Sequence, residues 1–266
     1  MTAYSPVFVE AVGLAAPGLA SWDAGAAVLR GETDLRPEPL VTPVPQLLPV
    51  NERRRATPAI KLAFQAAEDA MRASSLPASA LATVFASSDA DLAIIHRISL
   101  ALAGSPRFVS PTDFHNSVHN AASGYWSIGT GAQGASSTLS AFDGSFSAGL
   151  FEAYLQCRVD GVDILLVAFD LPAPEPLHAT RPFAHPAAVA LVLTRAATAR
   201  SLAALACDIT ADAQTTLADE ALNALRLGNP ATRALPLLQV LARRKSGRVV
   251  LPLRQGTALA VELRAP

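Results

Sequence analysis

Cysteine is scarce in this chain of 266 residues: there are two, Cys157 and Cys207, too few for a disulfide framework and in no metal-ligand spacing. A reduced, cytoplasmic setting is expected, with no structural metal and no cofactor, because a chain of this length can bury a core unaided. Charged residues make up 16% and aromatic residues 6%, and the net charge is −1. No positive field would draw the protein to nucleic acid or to an anionic membrane. The opening M-T-A-Y-S-P-V-F-V-E has no basic region followed by an apolar core, and no apolar run reaches membrane-spanning length. Neither export nor insertion is expected. Histidine is sparse too, with none after His185.

Apolar residues fill the space these absences leave. They make up 51% of the chain, mostly Ala, Leu and Val, so part of the surface is expected to be covered by a partner. Along the chain, strand and helix patterns alternate. Residues 7–14 read as a strand and 20–29 as a helix capped by Ser21 or Asp23; the proline-rich 31–49 reads as an extended loop crossing a surface or interface. Pro58 opens a packed helix to Ser74. A strand at 81–87 and helices at 91–103 and 114–128 follow. Residues 163–169, 187–193 and 202–209 are continuous apolar runs, typical of strands buried on both faces, the last two read as neighbours. Helices near 215–227 and 231–244 precede strands at 248–253 and 258–263. This alternation predicts one layered α/β domain with a mostly parallel sheet between helices.

The organising stretch is 129–158, read as a strand-turn-helix elbow with the strand at 136–142 and the helix at 144–158. Its turn presents Asp143, placed as a helix N-cap. Gly129 to Gly134 spell G-x-G-x-x-G, but in the order helix, glycines, strand, the reverse of a dinucleotide site. Ser147 stands near the position of a hydrolase nucleophile, or is simply a serine in a first helical turn. His115 and His119 share a predicted helix face without a third metal ligand. Arg53, Arg54 and Arg55 form either a solvated helix entrance or a docking point for an acidic partner. Phe114, Tyr125 and Trp126 are either core or a tunnel wall.

Read in order, several strings resemble the N-terminal half of a β-ketoacyl synthase of the thiolase fold. They are Val9-Glu10-Ala11-Val12-Gly13, the basic-then-apolar helix 54–71, Ser110-Pro111-Thr112-Asp113-Phe114, Asn120-Ala121-Ala122-Ser123-Gly124, Gly131-Ala132-Gln133-Gly134 and Arg181-Pro182-Phe183. The resemblance implies an α/β half-thiolase fold with a mixed, mostly parallel five-stranded sheet. It places a ketosynthase-like half at 1–210 and a shortened C-terminal part at 211–266, packed on the same domain. The family's nucleophilic cysteine aligns with Asp143, or with Phe142 after a one-residue shift, and its two C-terminal histidines have no counterpart. That pattern is similar to a short, catalytically vacant chain length factor of aryl polyene or related pigment pathways, paired with a catalytic ketosynthase and served by acyl carrier protein. The same resemblance places Ser136, Ser137, Thr138, Leu139, Ser140, Ala141 and Phe142 at the dimer interface. It places Phe114, Val118 and Trp126 along an acyl tunnel, and Arg53 to Arg55 at the carrier-protein contact. Two alternatives are a stand-alone acyl-thioester hydrolase or malonyl decarboxylase working through Ser147 or Asp143, and a homodimeric scaffold that binds carrier protein.

Overall fold

The computed structural model describes residues 6–36 and 38–265. Its strands are β1 (Val7–Ala15), β2 (Ala82–Ala86), β3 (Ser136–Leu139), β4 (Ile164–Asp170), β5 (Ala187–Thr194), β6 (Ala203–Thr210), β7 (Gly247–Arg254) and β8 (Thr257–Arg264). Its helices are α1 (Trp22–Arg30), α2 (Val50–Arg55), α3 (Pro58–Ala73), α4 (Leu92–Ala103), α5 (Pro111–Asn116), α6 (Ala121–Thr130), α7 (Ser145–Leu155), α8 (Leu177–Thr180), α9 (Glu220–Leu227) and α10 (Leu235–Ala242).

The strands form one sheet in the order β3-β2-β4-β5-β1-β6-β8-β7. Two cores follow from the two-residue period of β4. Ile164, Leu166 and Ala168 point to one side, where Phe146, Leu150 and Ala153 of α7 and Leu237 and Leu241 of α10 close the layer. Leu165, Val167 and Phe169 point to the other, against Ile60, Phe64 and Ala67 of α3 and Trp126 of α6. Thr57 caps α3 by accepting from the Ile60 N–H, with Pro58 in the first turn. Gly13 explains part of the V-x-x-x-G string, since a Cβ there would lie 1.9 Å from the Ala66 carbonyl oxygen; α3 rests directly on the β1 backbone.

Five expectations are corrected. The sheet has eight strands among the described residues, not five, and only β2/β3 and β2/β4 pair parallel. The other ladders are antiparallel. The reason is that β7 and β8 are a hairpin that extends the same sheet through β6, while β1 inserts between β5 and β6 and separates two strands expected to be adjacent. The helix expected over 114–128 is two, α5 and α6, divided by the turn after Asn116. Finally, the strand expected over 136–142 stops at Leu139.

Candidate functional site

The elbow forms where β3 ends. Residues 140–144 turn back before α7 begins, and Phe142 at the apex adopts φ +54°. That left-handed conformation costs a residue with a Cβ roughly 1–2 kcal/mol, so the surroundings must hold it. Ser145 does much of this: its hydroxyl donates to the Phe142 carbonyl (2.7 Å) and accepts from the Ala141 N–H (3.0 Å). Ser140 ties the turn to the end of β2 by donating to the Ser88 carbonyl (2.6 Å). Gly144 lies so close to β7 that a Cβ would fall 1.9 Å from the Leu253 carbonyl oxygen. A strained residue between strand and helix is the position at which elbows of this type present a nucleophile. The backbone gives that position to Phe142 rather than Asp143.

Asp143 does not cap α7. Gly144 is the N-cap residue and, lacking a side chain, makes no capping bond, while the Asp143 carboxylate turns to Arg181 Nη1 (2.7 Å) and, more distantly, Arg233 Nη2 (3.7 Å). Two guanidinium groups outcompete the helix N–H groups for it. Arg181, from the R-P-F string, is the hub of the site. Its Nε pairs with Asp89 (3.1 Å) and its Nη2 donates to the Ser88 hydroxyl (2.6 Å). Its flat face lies 3.6 Å from the Phe142 ring centroid and 4.6 Å from that of Phe183. Beneath it, Asp170 at the end of β4 accepts from the Ser87 hydroxyl (2.9 Å) and the Ser88 N–H (2.8 Å). Burial pushes the Asp170 carboxyl up to about 8, so it is mostly neutral at pH 7. A cleft of about 540 Å³ opens beside the turn, bounded by Phe142, Asp143, Arg233 and the β7–β8 hairpin.

The chemistry available here is limited. The apex bears a phenyl ring, which can neither attack a carbonyl nor carry a thioester. Ser147 is wholly buried and its hydroxyl has no partner, so the geometry does not support the hydrolase reading. Burial pushes the Cys157 thiol up to about 12, which leaves it unreactive. His185 is engaged with the Leu225 carbonyl (3.0 Å). His115 on α5 packs against Tyr125 and His119 lies in the following turn, so the two share no helix face. Among the described residues, no group of three or more His, Cys, Asp or Glu side chains is placed to hold a metal ion. No described helix is long and apolar enough to cross a membrane.

The expected interface residues lie at an edge. Among the described residues β3 pairs only with β2, so one side of its backbone is open. Elsewhere the chain exposes apolar side chains. Helix α4, L-A-I-I-H-R-I-S-L-A-L-A, buries only Ile94 and exposes Ile95, Leu100 and Leu102. Phe108, Phe114, Val118 and Ile128 are exposed as well. The three expected tunnel residues therefore separate. Phe114 and Val118 stand at the surface, whereas Trp126 is buried edge-on against Phe64, with ring centroids 5.1 Å apart. Its bulk is needed to fill the layer under α3. The arginine triplet separates too: Arg53 donates to the Leu48 carbonyl (2.9 Å) and braces the preceding loop, and Arg55 pairs with Glu52 (3.5 Å). Arg54 is exposed. Sequence reasoning missed Arg233 and Asp89, which carry no local signal. It also missed the exposure of Ile95, Leu100 and Leu102 on α4, a helix whose apolar residues outnumber its polar ones.

A family description, β-ketoacyl synthase, N-terminal domain, matches residues 26–251. The chain belongs to this family. A comparison with curated sequences finds no match. Among solved structures, the chain is similar to a chain of the ketosynthase ApeO in complex with its chain length factor ApeC from Xenorhabdus doucetiae. Identity there is 26%, the TM-score is 0.71, and the match covers 97% of this chain and 99% of the other. It is also similar to the ishigamide ketosynthase/chain length factor, at 13% identity and TM-score 0.73 over 98% and 99% of the two chains. A third likeness is to AntDE:AntF, a type II polyketide acyl-carrier protein in complex with its ketosynthase bound to the hexaketide. There identity is 14% and the TM-score 0.75, over 99% and 100%. The fold is thus the thiolase-like ketosynthase fold, α/β with a mixed sheet.

Proposed function

We propose that the chain is a non-catalytic chain length factor. It pairs with a catalytic β-ketoacyl synthase and shapes the tunnel in which that enzyme extends a polyketide, polyene or fatty-acid-like chain. The observation that carries this reading is Phe142 on the strained apex, where condensation requires a group able to hold a thioester. The open edge of β3 and the bare apolar face of α4 support it as surfaces for an obligate partner. So does the likeness, over nearly the full length of both chains, to a structure of a ketosynthase with its chain length factor. The sequence resemblance described above adds the finer proposal of an aryl polyene or related pigment pathway. Acyl carrier protein would meet the complex with Arg54 and Arg55 contributing, since Arg53 is committed within the chain. Co-expression with the ketosynthase encoded beside it, followed by affinity purification, tests the reading. A stable one-to-one complex that elongates acyl chains is expected. A chain that never binds the ketosynthase, or that condenses acyl groups by itself, would overturn it.

A further inference from the structure

The charges around the elbow do not balance. Arg181, Arg226 and Arg233 lie near one another, while the carboxylates among them are Asp89 and Asp143. Three cations against two anions leave one positive charge over. Asp170, neutral at pH 7, offsets none of it.

The excess sits on Arg226 and Arg233. Arg226 on α9 is 4% exposed; its Nε donates to Asn223 Oδ1 (2.9 Å), and its Nη1 is buried without a partner. Burial, and then the neighbouring Arg233, hold its guanidinium below the usual range. Arg233 has only the 3.7 Å approach to Asp143, and its Nε is likewise buried with no partner. A buried guanidinium with unmet donors costs several times more free energy than one that is paired. Arg181, by contrast, is fully engaged and clamped between two rings.

Arg233 borders a small, partly open pocket. Together with Asp143, Arg181, Phe183, Asn229 and Pro230 it lines a cavity of about 160 Å³, next to the larger cleft beside the turn. The smaller cavity is below the ~300 Å³ typical of sites for drug-sized ligands. It has room for a small ion, and planar guanidinium forks match the oxygens of phosphate and carboxylate groups.

We propose that this cavity is an oxyanion site, in which a phosphate or carboxylate group accepts from Arg233 and competes with Asp143 for it. Asp143 then serves as an internal stand-in for the ligand, and this role does not depend on the partner reading above.

The test uses the full chain as purified, with inorganic phosphate, acetate and chloride compared at matched ionic strength by thermal unfolding and calorimetry. Phosphate, acetate or both are expected to raise Tm by about 2–4 °C at tenfold the dissociation constant, while chloride does not. The anion that acts identifies the group. Arg233→Gln should remove the shift. Asp143→Asn, which removes the competing carboxylate, should tighten binding about tenfold, an effect of opposite sign that general screening cannot mimic. Equal responses to all three salts, or unchanged or weaker binding by Asp143→Asn, would overturn the proposal.

Discussion

Phe142 and Asp170 show how single positions define this site. Phe142 has the backbone of a nucleophile and the side chain of a packing residue, held by its stack on Arg181. Phe142→Cys should therefore give a thiol that iodoacetamide alkylates, yet condensation by the isolated chain should stay undetectable in a radiolabelled acyl assay, because no histidine follows His185. Asp170 carries the clearest pH signature. Its carboxyl, raised to about 8 in the fold, holds a proton that the unfolded chain releases near pH 4. The stability this contributes is full below pH 4 and is lost as pH rises towards 8. Denaturant titrations across this range should show that decline in the wild type and a flatter profile in Asp170→Asn. The residue-level reading of the sequence reached Phe142 and Asp143 but gave Asp143 the wrong task. A carboxylate beside a helix start reads as a cap unless one sees Arg181 and Arg233, which arrive from about forty and ninety residues away.

At the level of elements, α4 is an apolar helix with almost nothing packed on it. Its polar residues are His96, Arg97 and Ser99, and Arg97 pairs with Asp113 (2.7 Å), yet Ile95, Leu100 and Leu102 stay exposed; on the proposed function a partner covers them. Leu100→Lys or Leu102→Lys should leave the melting temperature of the chain within about 2 °C, since neither side chain is buried in it. The same changes should weaken ketosynthase binding at least tenfold, measured by pull-down and calorimetry. Phe114→Ala and Val118→Ala should lengthen the products of the pair, read by mass spectrometry with the complex intact. The β7–β8 hairpin makes the opposite case, of an element held from within. Gly144→Ala would force β7 off the elbow, with an expected loss of more than ~2 kcal/mol and faster proteolysis of the hairpin. Most elements were legible because their apolar periods are strong, β4 and α3 above all. The helix expected over 114–128 was not, because Asn116 and His119 interrupt a pattern that hydrophobic spacing alone carries straight through.

For the whole molecule, strand order was the least legible feature. Continuous apolar runs say that β4, β5 and β6 are buried, but not that β1 returns between the last two or that most ladders run antiparallel. Those facts depend on long-range pairing, which local sequence does not encode. The family strings supplied the fold where periodicity could not, and they failed at strand number because the C-terminal hairpin continues the sheet. The open side of β3 has one more consequence, for the cell rather than the site. An unpaired edge strand is a template for pairing with another chain, so on the proposed function copies made in excess of the ketosynthase should self-associate or be degraded. If the proposed pairing holds, the two chains should be made in matched amounts, and pulse-labelling with and without the ketosynthase would reveal this as a difference in lifetime.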